Sequence, residues 1–325
     1  MRLKFLLFGS SLIALAFIAL SLTGGGGRSS EGERPLPPPG FPMDIVDAVQ
    51  SQIRLETAPQ RIVSLSPSVT ETLFLLGGGD LLVGRSRYCI NPEAALKVES
   101  VGGVTDPNLE KMGMLNPDLV FGITMGLRSE VAERMKQIGL KPMYFQQRSL
   151  DDIRDDVRLL SRIIDRTEIG EAWAVEADER REKVMAEMRT FWNERQPSAL
   201  IFYYNPGGIF SAGSDSWPGS MLEALGLRNL ANNLDSSWPR LSSEWILASN
   251  PEVIIYAPTS AGDVEAARAH MEQIRADPLW RNVDAIRNGR VIIANRSALV
   301  NSGPGAFTAL EDLAETLQAT YSDED

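Results

Sequence analysis

Strand-like and helix-like segments alternate along this chain in two separate sets, and this alternation limits the fold more than any other feature. The first set occupies residues 59–149 and the second occupies residues 197–325. Between amphipathic stretches lie short apolar runs rich in β-branched and aromatic residues: "RIVSLS", "LLVGRSRY", "PDLVFGI", "KPMYF", "SALIFYY", "PEVIIYA" and "GRVIIA". Strands that alternate with helices predict mostly parallel sheets covered by helices on both faces. The sequence therefore predicts two α/β lobes.

A helical stretch over residues 150–196 separates the two sets. Its second part, from Glu168 to Arg195, contains no proline and predicts one helix about 42 Å long. The segment "EADERREK" in its middle is charged on every face, which is typical of a helix that crosses solvent between domains. An ordinary surface helix with a run of charges is the alternative. The position between two α/β sets favours the bridge.

The N-terminal part of the chain differs in composition from the rest. Residues 1–27 begin with a short basic region, Arg2 and Lys4, and continue without charge through four glycines. Such a segment is either a cleaved signal peptide or a retained membrane anchor, and both place the protein outside the cytoplasm. Residues 28–58 are rich in glycine and proline and predict a linker, so the folded part should begin near Pro59.

The charge and the inventory of reactive residues exclude several classes of protein. The formal net charge of −11 argues against nucleic acid as a partner. Cys89 is the only cysteine and His270 the only histidine, so an internal disulfide is impossible and a His-rich metal site is not expected. We predict no bound metal and no cofactor.

An α/β hydrolase is the rival class to a binding protein. The segment "SLSPS" lacks the G-x-S-x-G pattern of a nucleophile turn, and His270 lies in a helical run far from it. No phosphate-binding P-loop and no dinucleotide-binding glycine pattern follows a strand. We therefore predict that the protein is not an enzyme, with a secreted α/β hydrolase as the alternative from another class.

One sequence pattern occurs once in each α/β set. Residues 108–119 read "NLEKMGMLNPDL" and residues 242–253 read "SSEWILASNPEV". In both, a glutamate is followed by six residues, a proline, an acidic residue and an apolar run, which predicts a helix, a turn and a strand. The glutamates are Glu110 and Glu244. From spacing alone, each glutamate favours the first turn of its helix, next to an asparagine or serine N-cap.

Four stretches of the chain resemble a known family: "RIVSLSPSVTETLFLLG", "VGRSRYCINPEA", "VGGVTDPNLEKMGMLNPDLV" and "WPRLSSEWILASNPEVI". They are similar to the periplasmic substrate-binding proteins of ABC importers for cobalamin, haem and ferric siderophores, and most of all to the cobalamin-type branch. The resemblance covers about residues 59–320. It implies two α/β lobes joined by one long rigid helix, with the ligand in the cleft between the lobes.

The resemblance also implies a function. A monomer would capture a cobalamin-like corrinoid or an iron chelate outside the cytoplasm and deliver it to an ABC permease dimer in the inner membrane. Haem and ferric siderophores are the alternative ligands to a corrinoid.

The resemblance assigns three aromatic residues to the ligand site. Tyr88, Phe210 and Trp238 stand at positions that contact cobalamin in the cobalamin-binding members. Val104 and Ile123 stand where these members carry two further tryptophans, so the site differs from theirs. Aromatic faces suit a flat macrocycle or a catecholate complex. Trp238 is the strongest candidate, because a large apolar side chain in the polar loop "NNLDSSWPRLSS" needs a partner.

Other candidates follow from position in the predicted fold. Ser66, Pro67 and Ser68 follow the first strand, and the carboxyl ends of parallel strands border ligand clefts. Trp217 and Arg240 are included because of their positions in the second lobe. Three further arginines, which suit an anionic siderophore or haem propionates, are Arg87, Arg128 and Arg296.

The resemblance gives the two repeated glutamates a role as well. In this family a glutamate on the outer surface of each lobe binds basic residues of the permease dimer, and Glu110 and Glu244 match these positions. A permease with two-fold symmetry requires the same contact from both lobes, which a repeated pattern provides. We therefore predict that both glutamates dock the protein on the permease and that both also stabilise their helices.

Overall fold

Two β-sheets, each flanked by helices, form the two α/β lobes of the protein. The computed structural model describes residues 35–125, 128–205, 208–257, 264–294 and 299–322. The predicted α/β class is confirmed. The predicted signal peptide or anchor lies outside the described residues, within which no helix is long and apolar enough to cross a membrane.

The elements of the described residues follow the predicted alternation. The strands are β1 (Met43–Val46), β2 (Gln52–Leu55), β3 (Ile62–Ser64), β4 (Leu82–Arg85), β5 (Leu119–Ile123), β6 (Pro142–Phe145), β7 (Ser198–Asn205), β8 (Gly208–Phe210), β9 (Arg228–Asn229), β10 (Arg240–Leu241), β11 (Val253–Ala257) and β12 (Val291–Ile293). The α-helices are α1 (Pro67–Leu75), α2 (Leu109–Met114), α3 (Ser129–Gln137), α4 (Leu150–Ile163), α5 (Thr167–Trp192), α6 (Trp217–Ala224), α7 (Ser243–Ser249), α8 (Val264–Ala276), α9 (Asp284–Arg287) and α10 (Gly305–Ser322). Short 3₁₀ helices span Gly79–Leu81, Glu93–Lys97 and Leu230–Asn233.

The sheet of the N-terminal lobe is parallel throughout, in the order β4-β3-β5-β6. Its strands are buried on both faces: Ile62 of β3 packs into one hydrophobic cluster and the adjacent Val63 packs into another. This explains why these strands read as continuous apolar runs rather than alternating ones. Because the strands are parallel, their carboxyl ends all lie at one edge of the sheet, where α/β proteins bind ligands.

The sheet of the C-terminal lobe is mixed, with the strand order β10-β8-β7-β11-β12. The strands β7, β11 and β12 are parallel, β8 and β10 run antiparallel to their neighbours, and β9 pairs with the start of β7. In this register Phe210 lies opposite both Tyr203 of β7 and Arg240 of β10. Tyr203, Phe210 and Arg240 therefore lie side by side on the three neighbouring strands β7, β8 and β10.

A β-hairpin occupies part of the stretch that was predicted to be a linker. The strands β1 and β2 pair antiparallel, and Met43 and Ile45 are buried in the core of the N-terminal lobe. The hairpin turn is fixed to the edge strand β6, because Ala48 N donates to Tyr144 O over 3.0 Å and the Asp47 carboxylate accepts from Tyr144 N. The linker prediction is wrong for residues 43–55. The hairpin was not predicted because its strands are only four residues long and lie next to prolines and glycines.

The long helix α5 has nearly the predicted extent, and its 26 residues make it about 39 Å long. It does not cross solvent, however, since α4 and α10 pack along it and Ala174, Ala177 and Val184 are buried. Some of the charges in its middle pair with these helices: Arg180 Nε lies 2.9 Å from Glu311 Oε1 on α10, and Arg181 forms an ion pair with Asp151 on α4. The predicted solvent-crossing bridge is therefore wrong. The helix is one layer of a helical packing between the lobes.

Candidate functional site

The carboxyl edges of the two sheets face each other. Residues 301–303 follow the last strand of the C-terminal lobe, and they contact the start of α1, which follows β3 in the N-terminal lobe. A Cβ atom on Gly303 would lie only 3.2 Å from Ser68 Cα. Ser302 Oγ also donates to Gln147 Oε1, just after β6, over 3.1 Å. The loops that follow the strands of both lobes therefore form the walls of one interlobe cleft.

Tyr88 is the aromatic residue predicted for the N-terminal wall of the site. It lies in the loop after β4 and 55% of its surface is exposed, although a phenol ring of this size normally packs. The Arg87 guanidinium lies 5.8 Å from the ring centroid and forms an ion pair with Asp106 at 2.6 Å. The charge of Arg87 is thus compensated by Asp106, while much of the Tyr88 side chain is open to solvent.

Phe210, Trp238 and Arg240 come together on the C-terminal wall. The Trp238 indole packs edge-on against the Tyr203 ring, with 5.4 Å between the centroids, and Phe210 lies next to Tyr203 in the sheet. Phe210 and Trp238 are half-buried and Arg240 is exposed. Tyr203 is buried and donates its hydroxyl to the Leu299 carbonyl over 2.8 Å. Burial raises the pKa of Tyr203 well above its usual value, so the phenol that packs against Trp238 and Phe210 stays neutral.

Three exposed residues near this edge were missed by the sequence reasoning: Met125, Tyr204 and Val300. Met125 follows β5 and Tyr204 lies at the end of β7, so an apolar residue at the carboxyl end of a predicted parallel strand is the signal that could have found these two; Val300 lies between β12 and α10. The Tyr204 ring stacks on His270 with 3.9 Å between the centroids, and His270 Nδ1 lies 2.8 Å from the Tyr256 hydroxyl. Burial lowers the pKa of His270, which keeps this imidazole neutral at physiological pH.

Trp217 is not part of the cleft. Only 1% of its surface is exposed, and it packs into the core of the C-terminal lobe as the first residue of α6. The Ser216 hydroxyl caps this helix by accepting from Gly219 N and donates to Gly213 O. Its prediction as a ligand contact is therefore wrong. A position next to a polar loop in the sequence does not show whether the first residue of the following helix faces the core or the solvent.

Ser66 and Ser68 are also covered. Both hydroxyl groups are buried and lie 2.8 Å apart, and Ser66 occupies the N-cap of α1. The cavity beside Ser68 measures about 10 Å³, which is space for roughly one water molecule. The two serines therefore stabilise the start of α1, and their side chains have no exposed surface for a ligand, contrary to their prediction as ligand-binding residues. Pro67, between them, is partly exposed.

The remaining predicted arginines are dispersed. Arg128 is exposed ahead of α3, and Arg296 lies outside the described residues. Among the residues that the structure describes, no three histidine, cysteine, aspartate or glutamate side chains are grouped as a metal site. Cys89 is buried, with its sulfur 3.1 Å from Ser86 Oγ.

A partly buried carboxyl group lies where the two lobes touch. Glu71 of α1 is hydrogen-bonded by the Asn301 side chain from the C-terminal lobe. Burial raises the pKa of Glu71 to about 7, and the bond from Asn301 opposes this shift only in part. Nearby, Gln147 Nε2 donates to Asp156 Oδ2, so a chain of polar contacts continues from Ser302 to α4.

The two repeated patterns have the same local geometry. The Asn108 side-chain Oδ1 accepts from Lys111 N over 2.9 Å, and the Ser242 hydroxyl accepts from Trp245 N over 3.2 Å, so both helices are capped in the same way. Glu110 and Glu244 are both the second residue of their helices. Both side chains are exposed, and in the described part of the chain neither forms an ion pair.

The repeated patterns also end alike. Asn116 and Asn250 adopt left-handed backbone conformations, with φ of 43° and 41°, directly before a proline. The acidic residue that follows each proline then accepts a hydrogen bond from the backbone near the start of the neighbouring strand. Asp118 accepts from Arg61 N, and Glu252 accepts from Ser198 N. The pattern is thus a structural unit that each lobe uses once.

Comparison with known proteins identifies the family. A sequence model of the periplasmic binding protein family matches residues 62–298. The chain belongs to this family. It is therefore a binding protein and not an enzyme, as predicted.

Individual relatives cover most of the chain. A vitamin B12-binding protein of Vibrio vulnificus is 30% identical over 269 residues, which span 81% of this chain and 92% of the relative. The crystal structure of the periplasmic vitamin B12-binding protein BtuF of Vibrio cholerae is 25% identical, with a TM-score of 0.69 over 81% of this chain and 98% of that one. A periplasmic haem-binding protein of Pseudomonas aeruginosa has the same fold, with a TM-score of 0.70, 24% identity and coverage of 80% and 93%.

Proposed function

We propose that this protein is the substrate-binding component of an ABC importer that captures a cobalamin-like corrinoid outside the cytoplasm. The observation that supports this proposal is the aromatic patch of Phe210 and Trp238 next to Tyr203 in the C-terminal lobe, together with the exposed ring of Tyr88 in the N-terminal lobe. Exposed aromatic faces on both sides of a cleft suit a large flat ligand with apolar surfaces.

The relatives support a corrinoid as the ligand. Proteins named for vitamin B12 binding are similar to this chain over more than four fifths of its length. The donor set supports a preformed chelate over a free metal ion, because the described residues contain no group of metal-binding side chains. A corrinoid brings its own nitrogen ligands and requires only shape, stacking and a few hydrogen bonds from the protein.

A haem or ferric siderophore is the second candidate. Arg240 supports it, because this exposed guanidinium lies beside Phe210 and would pair with the carboxylates of a haem or an anionic siderophore. A neutral corrinoid would use Arg240 as a hydrogen-bond donor to its amide groups instead.

Delivery to a permease is the second half of the proposal. Glu110 and Glu244 are exposed at matching positions of the two lobes, and in the described residues neither carboxylate is compensated by an ion pair. Two equal acidic contacts fit a permease dimer that presents the same basic residues twice.

Thermal unfolding of the purified protein with a panel of ligands tests the ligand assignment. The panel contains cyanocobalamin, cobinamide, haemin and a ferric catecholate siderophore. A specific ligand at about 100 times its Kd stabilises the protein by about 2.7 kcal/mol, and we expect this response from a corrinoid. A response to haemin or the siderophore alone would replace the corrinoid assignment with the second candidate. No response to any of the four would contradict both.

A further inference from the structure

Two loops of the N-terminal lobe lie next to each other at the carboxyl edge of its sheet. The first loop spans residues 86–92 and follows β4. The second loop spans residues 102–107 and comes shortly after Ser100, which forms a parallel bridge with Arg85 at the end of β4. Because these segments run parallel, both loops lie at the edge of the sheet where α/β proteins bind ligands.

Each of these loops carries one charged residue, and the two charges pair with each other. Arg87 is the charged residue of the first loop, "SRYCINP", and Asp106 is that of the second, "GGVTDP". Arg87 Nη2 donates to Asp106 Oδ2 over 2.6 Å, and the same guanidinium lies 5.8 Å from the centroid of the Tyr88 ring. The two loops therefore have no net charge, and their ion pair lies beside the aromatic residue proposed to contact the ligand.

Gly103 leaves space for this ion pair. A Cβ atom at this position would collide with Asp106 Oδ1 and would lie 3.0 Å from Arg87 Nη2. The backbone alone does not require glycine there, since a positive φ occurs at the preceding Gly102, with a value of 102°, and not at Gly103. The second loop thus accommodates the Asp106 carboxylate at the cost of a side chain at position 103.

Folding stability does not account for the ion pair. The side chains of Arg87 and Asp106 are 49% and 65% exposed, and an ion pair so open to solvent contributes little to stability. Backbone hydrogen bonds hold the loops instead: Arg87 N donates to Gly102 O, and Asn108 N donates to Val101 O, each over 2.7 Å. Removing the charge of Asp106 should therefore leave the fold intact.

An arginine paired with an aspartate matches a primary amide better than a carboxylate. A primary amide has an acceptor oxygen and a donor N–H group side by side, so it can bond to Arg87 and Asp106 at once. A carboxylate only accepts, so it would compete with Asp106 for the guanidinium and would lie next to a like charge. Both effects become stronger when a flat ligand covers the loops and excludes water.

We propose that the Arg87–Asp106 ion pair determines which charge the ligand carries at its rim: it favours a ligand with uncharged amide groups and discriminates against one with carboxylates. Asp106 is the specificity-determining residue, because without it Arg87 would attract carboxylates. This inference rests on the proposed function as a corrinoid-binding protein. It adds the residues that distinguish an amide-bearing corrinoid from a haem with its propionates.

Two corrinoids that share one ring system test the inference: cobyrinic acid, whose rim carries carboxylates, and its heptaamide, whose rim carries primary amides. Calorimetric titration of the full chain should show that the wild type prefers the heptaamide at least about tenfold. Asp106→Asn should reduce this preference to about threefold or less by tightening the binding of the acid, with the affinity for the heptaamide kept. Arg87→Gln should increase the preference, because Asp106 then lacks its cation.

A matched control removes the same charge elsewhere in the lobe. Asp80 is exposed in the 3₁₀ helix that precedes β4, so it lies at the opposite, amino end of that strand. Asp80→Asn should keep the wild-type preference. Raising the salt concentration from about 0.01 M to about 1 M should reduce the preference of the wild type, since the Debye length falls from about 30 Å to about 3 Å. The same change should have little effect on Asp106→Asn.

Two results would overturn the assignment. Asp106→Asn that keeps the wild-type preference would remove the ion pair from ligand selection, and equal weakening of both corrinoids would leave it as a support of the loop that carries Tyr88. Titration of the wild type with cyanocobalamin separates this failure from that of the proposed function. If cyanocobalamin binds and the preference of Asp106→Asn is unchanged, only this inference fails. If no corrinoid binds the wild type, the proposed function fails and the inference fails with it.

Discussion

Trp238 is the residue on which the ligand assignment depends most. Its indole packs edge-on against Tyr203 and is half-exposed, so one face remains available for stacking. We expect Trp238→Ala to weaken corrinoid binding by about 1–3 kcal/mol, the loss typical of an aromatic anchor, and Trp238→Phe to weaken it less. Isothermal titration calorimetry measures this directly. Trp245→Ala, which removes a partly exposed tryptophan outside the cleft, is the control and should keep full affinity. Unchanged binding in Trp238→Ala would remove this residue from the site.

Glu71 should make the stability of the protein depend on pH. Its pKa is raised by burial to about 7, above the ordinary value of 4.5, so folding favours the protonated form. The stabilisation is complete below about pH 4.5 and is lost as the pH rises through about 7, which corresponds to about 3 kcal/mol of unfolding free energy. Glu71→Gln should remove this dependence. Urea unfolding of both proteins at pH 5 and pH 8 measures it. If both proteins lose the same stability between these values, Glu71 does not titrate as described.

The sequence identified some site residues and not others for a physical reason. Tyr88, Phe210 and Trp238 could be named because a resemblance transfers positions along the chain. Trp217 could not be placed correctly, because its burial depends on how α6 packs on the sheet. Glu71 gave no signal, since its partner Asn301 lies more than 200 residues away in the chain and meets it only when the lobes assemble.

Elements were easier to predict than their surroundings. The repeated pattern correctly gave a capped helix, a turn and a strand in each lobe, because caps and left-handed asparagines are local features. The extent of α5 was also nearly correct. Its charged middle was misread because the sequence does not show that partners on α4 and α10 lie against it.

The charge network between α4 and α5 should be a major source of stability. Arg154 is buried and lies 2.9 Å from Asp155 and 3.1 Å from Asp178, and Asp155 is itself buried. Arg154→Ala should destabilise the protein by about 3–5 kcal/mol, because it removes the nearest cation from the buried carboxylate of Asp155. Lys183→Ala is the control: this exposed residue pairs with Glu187 only at 3.9 Å, and the change should cost less than about 0.5 kcal/mol. Chemical denaturation of both variants gives the comparison, and equal stabilities would contradict the structural role of the network.

At the scale of the molecule, the two lobes are joined by more than the long helix. Leu150 N at the start of α4 donates to Ser220 Oγ of α6 over 3.0 Å, and residues 301–303 contact α1. The lobes therefore form a continuous body with their carboxyl edges at the cleft. On each lobe the repeated pattern presents its glutamate from a short capped helix, so the ligand walls and the acidic helices are built from different loops.

This separation leads to the prediction that ligand binding and delivery are independent. Glu110 and Glu244 contact none of the cleft residues described above, so Glu110→Lys with Glu244→Lys should leave corrinoid affinity intact. Uptake by cells, or stimulation of the permease ATPase, should collapse because both acid-base contacts become like-charge contacts. Each single reversal should have a smaller effect.

A role in helix stability alone would give a different result. Hydrogen bonds from its own backbone N–H and from Ser242 lower the pKa of Glu244, in keeping with an acid in the first turn of a helix. Reversal would then lower the melting temperature slightly, because a positive charge in the first turn opposes the helix dipole, and transport would continue. Glu130→Lys, in the first turn of α3, controls for this helix-terminus effect. Measured on the same variants, normal transport with a lowered melting temperature would leave the glutamates as helix-stabilising residues only.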